Sequence, residues 1–417
     1  MLNSLSSAAQ VVRNLVLVTL LVLLAGCAKK ADPHRIVIWH QMRVDDRLVL
    51  EDQIREFMAE HPGILVEQIY KETEELRSGF IVAAIAGQGP DLVYGPADQV
   101  GPFEVMGIIR PLEDLFTQAY IDSFIPEATC LYKSHLYQLA DKLGNHLVLI
   151  YNKDLLPTPP ETDVELLRVG KELTRDTNGD GKTDRYALTW NYTEPFFFIP
   201  FLTGFGGWVM TDDGTPTLDT PAMVEALKFI RDLRDRYHII PGEADYNVAD
   251  ALFKDRMAAM IINGDWSWAG YKKAGINFGV APLPRITSTG IWPAPMVAPR
   301  GYSININVAG EKLPLIVELL KFLMRPDIQL RTAKALWSMP TRREAAESEF
   351  VRSDPVLRNS ALQISRGRLM PMVPELRAVW DAMRPSYQAV LGGATTPERA
   401  AKAMQELAIR KIREMNE

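Results

Sequence analysis

Between Ile36 and Tyr94 the sequence alternates between short apolar runs and helix-period stretches, and this alternation admits few folds. The run Ile36-Val37-Ile38-Trp39 reads as a buried strand. A helical stretch from Leu48 to Ala59 follows, with apolar residues at Leu48, Ile54, Phe57 and Met58, and His61-Pro62-Gly63 stops it. A second strand over Ile64 to Tyr70, a helix from Leu76 to Ala86 and a third strand Leu92-Val93-Tyr94 complete a β-α-β-α-β order. Such an order predicts an α/β protein with a mostly parallel sheet and a ligand site beyond the carboxyl ends of its strands. The same grammar returns in a helix from Pro221 to Tyr237 opened by Thr220, a helix from Tyr246 to Phe253, an apolar run from Ala258 to Ile262 and the strand-like Phe278-Gly279-Val280. Two units fit a chain of 417 residues, which is too long for one ordinary core. The proline-rich segment Pro282 to Pro299 reads as a connecting loop.

The first residues obey another logic. Arg13 precedes an apolar run from Leu15 to Ala25, too short to span a bilayer, that ends in Leu24-Ala25-Gly26-Cys27. These residues resemble the bacterial lipoprotein signal. The resemblance implies cleavage of residues 1–26, a lipid on Cys27, a linker over 27–35 and an extracytoplasmic body held to the membrane. With Cys27 acylated only Cys130 remains, so an internal disulfide is impossible. A formal net charge of -6, without a dense Lys/Arg stripe, argues against nucleic acid as a partner.

Seven stretches then combine in order: Ile36-Val37-Ile38-Trp39, Gly89-Pro90-Asp91, Leu149 to Pro157 (LIYNKDLLP), Glu194-Pro195-Phe196-Phe197, Ala244-Asp245-Tyr246, Ile262 to Trp268 (INGDWSW), and Met370-Pro371-Met372-Val373-Pro374 leading to Trp380. Over nearly the whole chain after Cys27 they resemble the maltose-type extracellular solute-binding family. The resemblance implies a type II periplasmic-binding-protein fold: two α/β lobes, residues 36–143 plus 304–350 and 148–290 plus 355–417, joined by a three-segment hinge. It further implies a monomer that closes on an oligosaccharide of the maltose, maltodextrin or trehalose kind and delivers it to an ABC permease.

By the same resemblance Trp266, Trp380, Tyr246 and Phe196 stack on or flank sugar rings, Glu194 accepts from a hydroxyl and Asp98 stands at a binding carboxylate. Flat aromatic faces with polar edges are what a sugar needs. Three positions depart from the pattern: Gly95 replaces an aromatic, Gln99 an arginine and Asn145 a glutamate, so the first-lobe wall is expected to be remodelled. Position alone adds His40 and Gln41 after the first strand, Arg384 one helical turn beyond Trp380, and Gly301-Tyr302. Trp39, within an apolar strand, is expected in the core.

The run Asp176-Thr177-Asn178-Gly179-Asp180-Gly181-Lys182-Thr183-Asp184 carries oxygen ligands at alternate positions, as calcium loops do. Asp176, Asn178, Asp180, Asp184 and the Lys182 carbonyl are the expected donors for a structural Ca²⁺, although Ala187 stands where a bidentate glutamate would complete the shell. An exposed Asx/Gly turn is the competing reading.

No Gly-x-Ser-x-Gly elbow, His-Glu-x-x-His helix or phosphate loop occurs. A secreted glycoside hydrolase using Asp98 and Glu194 is the alternative to a binding protein, and a clamp read by a membrane sensor is a third.

Overall fold

A computed structural model describes residues 32–417. The signal segment and Cys27 lie outside the described residues. Among the described residues there are twelve strands: Arg35–His40 (β1), Leu65–Tyr70 (β2), Leu92–Pro96 (β3), Thr129–Tyr132 (β4), His135–Gly144 (β5), Leu147–Asn152 (β6), Tyr186–Thr189 (β7), Ala258–Gly264 (β8), Phe278–Ala281 (β9), Met296–Ile304 (β10), Met339–Pro340 (β11) and Arg368–Leu369 (β12). They form an eight-stranded sheet, ordered β11-β5-β10-β3-β1-β2 with β4 on β5 and β12 on β10, and a four-stranded sheet ordered β7-β8-β6-β9.

Both sheets are mixed, which corrects the expectation of a mostly parallel arrangement. β1 pairs parallel with β2 and β3, as the alternation requires, but β10 returns from the other half of the chain and pairs antiparallel with β3 and β5. In the second sheet β7 and β8 are parallel while β6 runs against β8 and β9. The proline-rich segment is also less irregular than expected, since Met296 to Pro299 already belong to β10. Pro299 sits in this ladder opposite Leu143, and the register with β5 slips just beyond it, between Arg300 and Gly301.

Five helices position the site: Val44–Glu60 (α1), Thr73–Ile85 (α2), Pro221–Asp235 (α3), Tyr246–Lys254 (α4) and Glu375–Leu391 (α5). Their starts are set locally. The Glu74 amide donates to the Glu72 carboxylate before α2, the Met223 amide to Thr220 Oγ1 before α3, and the Val248 amide to Asp245 Oδ1 before α4. α1 has no side-chain cap, but Asp45 and Asp46 in its first turn suit the positive end of the helix dipole. Pro385 sits inside α5, removing the amide that would bond the Asp381 carbonyl.

Apolar side chains gather accordingly. Ile36, Ile38, Leu50, Phe57, Leu92 and Ile304 belong to a core against the first sheet, and Leu76, Phe80 and Phe103 to a smaller one beside it. A larger core holds Leu149, Ile150, Met260, Ile261 and the inner face of α5 (Leu376, Val379, Met383, Tyr387). The chain passes from one sheet to the other at Asn145-His146, returns between β9 and β10, and crosses again between β11 and α5. Cys130 is buried and unpaired. Among the described residues no helix is long and apolar enough to cross a membrane.

Candidate functional site

A cavity of about 260 Å³ opens between the sheets. Phe196, Trp266, Met370 and Trp380 line it from the second-sheet side. Gln41, Arg43, Asp46, Thr73, Tyr94, Gly95, Asp98, Asn145 and Arg300 line it from β1, β3, β5, β10 and the helices behind them. The first-sheet residues follow the carboxyl ends of β1 and β3, where the βαβ order places a ligand.

The aromatic wall is built from local constraints. Trp266 follows β8, and a side chain at Gly264 would come within 2.1 Å of the indole, so the ring rests on glycine backbone. Its Nε1–H donates to the Tyr246 hydroxyl at 3.1 Å, and its centroid lies 6.3 Å from that of Phe196. Trp266, Phe196 and Trp380 are all half-buried, leaving apolar surface toward the cavity.

The opposite wall is polar and held by charge. Arg300 and Asp265 form a buried ion pair between β10 and the end of β8, and Asp46 pairs with Lys142 beside it. Burial opposes ionisation of Asp46, but Lys142 and Arg300 outweigh it and hold the carboxyl below its ordinary value. Asp98 Oδ1 is shut from solvent without a protein partner, and burial, only partly offset by Arg77, pushes this carboxyl up to about 6. Asn145 adopts φ 46°, a left-handed conformation that asparagine tolerates, at the passage from β5 to β6. The space beside Gly95 is filled by Gln99, whose amide oxygen lies 2.3 Å from where a side-chain carbon at position 95 would sit.

Not every expected residue reaches the cavity. His40 is fully buried: the period-two alternation of β1 turns it inward with Ile36 and Ile38, and its Nδ1 accepts from the Met42 amide. Gln99 is folded over Gly95, buried, and donates to Gln41 Oε1 at 3.2 Å, so it supports Gln41. Tyr302 is buried edge-on to Tyr94, 4.7 Å between centroids, and Gly301 faces the neighbouring strand, where an added carbon would sit 2.1 Å from the Leu139 carbonyl oxygen. Tyr246 stands behind Trp266. Glu194 and Arg384 pair with each other at 3.0 Å at the edge of α5. Trp39 is half-buried beside the second apolar cluster, under Lys71.

Met42, Arg43, Asp46, Thr73, Tyr94, Arg300 and Met370 were absent from the sequence expectation. Met370 carried a signal as the first residue of the stretch that leads to Trp380, and Arg43 and Asp46 did as charged residues after the first strand.

The two sides touch around the cavity mouth. Arg377 of α5 pairs with Glu74 of α2 at 2.8 Å, and a side chain at Gly101 would meet the Met372 carbonyl oxygen at 1.7 Å. Met370 and Val373 pack with the second-sheet core, whereas Met372 between them packs with the cluster of Phe80 and Phe103.

In the loop 176–184 the amides of Gly179 and Gly181 donate to Asp176, that of Asp180 to Asn178, and that of Lys182 to Asp180. Asp184 accepts from Thr177. Among the described residues no group of three His, Cys, Asp or Glu is placed to hold a metal ion.

A family model described as bacterial extracellular solute-binding protein matches residues 52–359. A maltotriose-binding protein of Pyrococcus abyssi is 30% identical over 365 residues, covering 86% of this chain and 77% of its own. A maltooligosaccharide ABC transporter solute-binding lipoprotein of Streptococcus pneumoniae is 23% identical, covering 79% and 77%. The solved maltose/maltodextrin-binding domain from Bdellovibrio bacteriovorus, bound to maltotriose, superposes with a TM-score of 0.87 at 48% identity, covering 91% of this chain and 100% of that one. Two mixed α/β sheets closing on an aromatic-walled cavity, together with these likenesses, place the chain in the family of bacterial extracellular solute-binding proteins.

Proposed function

We propose that this protein captures a maltotriose-like oligosaccharide outside the cytoplasm and delivers it to an ABC permease. The observation that carries this reading is the pairing of Phe196, Trp266 and Trp380 on one side of the cavity with Gln41, Asp98, Asn145 and Arg300 on the other. Apolar sugar faces stack on the first set, and hydroxyls exchange hydrogen bonds with the second. Because each wall belongs to a different half of the chain, a ligand that touches both favours the closed arrangement by its differential affinity. Tyr246 acts by fixing Trp266, while the Glu194–Arg384 pair marks the edge of the site.

The hydrolase alternative is poorly supported, since it needs two carboxyl groups flanking one bond. Asp98 lines the cavity, but Glu194 is engaged by Arg384 beside it. Calorimetric titration with maltotriose, trehalose and cellotriose tests the proposal. Saturable binding of the α-linked sugars supports it, and no binding of any sugar, or release of glucose on incubation, overturns it.

Two further readings belong to the same proposal. Cys27 carries the lipid anchor, supported by its Leu-Ala-Gly-Cys context. The loop 176–184 takes a structural Ca²⁺ through the side chains of Asp176, Asn178 and Asp180 and the Lys182 carbonyl. Supporting it, amides of Gly181, Gly179 and Asn178 stabilise the ionised Asp176 carboxyl and hold it below its ordinary value. Asp184 is a donor only after leaving Thr177.

A further inference from the structure

A chain of amide groups runs from the core to the cleft through Gly95 and Gln99, two of the positions where this sequence departs from the family pattern. β3 ends at Gly95-Pro96, a single tight turn over Ala97–Gln99 follows, and a short helix begins at Val100. The turn brings the Gln99 side chain back over the residue four places before it. Gly95 does not occupy the left-handed region, so glycine supplies space here rather than backbone freedom. A side-chain carbon at 95 would lie 2.9 Å from the Gln99 amide carbon and 3.1 Å from its nitrogen, nearer than packed atoms settle. The carboxamide therefore rests on bare main chain.

That main chain is itself fixed. Gly95 pairs with Gly301 of β10, and its carbonyl accepts from Gln138 Nε2 at 3.1 Å. Gln99 is only 3% exposed, and a buried amide must find a partner. Its Nε2 donates to Gln41 Oε1 at 3.2 Å. Gln41 follows β1, is half-buried and lines the cleft. With the Gln41 oxygen engaged by Gln99, its amide nitrogen and two hydrogens are what it has left for a ligand. On the same wall Asp46 is engaged by Lys142 and Arg300 by Asp265, while an ionised Asp98 can only accept. Gln41 adds a donor beside that acceptor.

We propose that Gln99 is a positioning residue: lodged in the space that Gly95 leaves, it holds Gln41 with its amide N–H groups toward the cleft. This stretch of wall then selects a sugar by an oxygen that accepts from Gln41, where an aromatic at 95 would have offered a ring face. The proposal rests on the oligosaccharide reading above. Calorimetry with maltotriose tests it on Gln41→Ala, Gln99→Met, the double variant, and Gln41→Glu. Methionine keeps the length of glutamine and fills the space without the hydrogen bond. Gln41→Ala and Gln99→Met are each expected to weaken binding about fivefold, the size of one hydrogen bond. The double variant should lose no more than Gln41→Ala alone, because Gln99 acts only through Gln41. Gln41→Glu, which keeps acceptors and loses the donors, should bind no better than Gln41→Ala. Gly95→Ala, which displaces Gln99 from the other side, should match Gln99→Met and decides the matter if that variant does not fold. A further loss from Gln99→Met or Gly95→Ala when Gln41 is already alanine would make Gln99 a structural prop and overturn the proposal. Wild-type affinity in Gln41→Ala or Gln41→Glu overturns it too, while the cleft reading stands. Absence of maltotriose binding by the wild-type chain overturns the cleft reading and this one with it.

Discussion

The guanidinium carbon of Arg43 lies 4.4 Å from the centroid of the Tyr246 ring, joining the start of α1 to the start of α4 across the cleft. Tyr246 also fixes Trp266, so closure of the two halves and placement of a stacking ring are linked through one phenol. Arg43→Ala should lower maltotriose affinity by about 1 kcal/mol, roughly fivefold, by removing a contact that joins the two halves. Calorimetry provides the number, and an unchanged affinity would show that the contact does not contribute to closure.

Trp266→Ala and Trp380→Ala each remove a flat apolar face. Each should cost about 1–3 kcal/mol of sugar affinity with the thermal midpoint little changed. Wild-type affinity in both variants would dismiss these rings as the stacking wall.

Arg300 and Asp265 are a buried pair, with side chains 12% and 2% exposed. Removing one partner strands the other charge, so Asp265→Ala should destabilise the fold by about 3–5 kcal/mol in urea unfolding. Arg300→Met combined with Asp265→Leu should recover much of that loss, because neither charge is then left alone. A cost below about 1 kcal/mol for the single variant would mean that water already solvates the pair.

Burial pushes the imidazoles of His40 and His146 down to about 4, from an ordinary value of 6.5. As pH falls below 6.5 the unfolded chain therefore takes up protons that the folded chain refuses, and stability falls until about pH 4. Each histidine accounts for on the order of 3 kcal/mol over that window. Asp98, pushed up to about 6, opposes them, because its folded form takes the proton first. His146→Gln should show a smaller drop in urea midpoint between about pH 7 and about pH 4.5. Parallel profiles for wild type and variant would remove His146 from the account.

Calcium should raise the thermal midpoint of the wild-type chain, with about 2.7 kcal/mol of stabilisation at a hundredfold excess over the dissociation constant. Asp176→Asn should abolish the shift, and EDTA should reverse it. A midpoint indifferent to both ions and chelator would leave the loop a self-bonded turn.

Much of this architecture was legible in the sequence because local signals and tertiary needs agreed. Thr220-Pro221 and Asp245 open helices at the residues their capping chemistry indicates, and the apolar runs Ile36 to Trp39 and Ala258 to Ile262 lie within strands. Phe196, Trp266, Trp380, Asp98, Asn145 and Gln41 meet at one cavity; the resemblance to a family had pointed to the first five, Asn145 as a departure from its pattern, and position after the first strand to Gln41. What failed depended on side-chain direction. His40 and Tyr302 follow strand parity into the core, and Gln99 turns into the space that Gly95 vacates. Arg300 escaped notice because it follows a segment whose prolines read as loop, although Pro299 pairs with Leu143 inside β10. Distant pairings such as Arg43 with Tyr246 leave no trace in local pattern.

Where Gly101 faces the Met372 carbonyl, the jaws come together at the level of bare main chain. Only a residue without a side-chain carbon permits so close an approach, and any larger residue there would act as a wedge. An added carbon at position 101 is therefore expected to prise grip from release without altering any residue that lines the cavity.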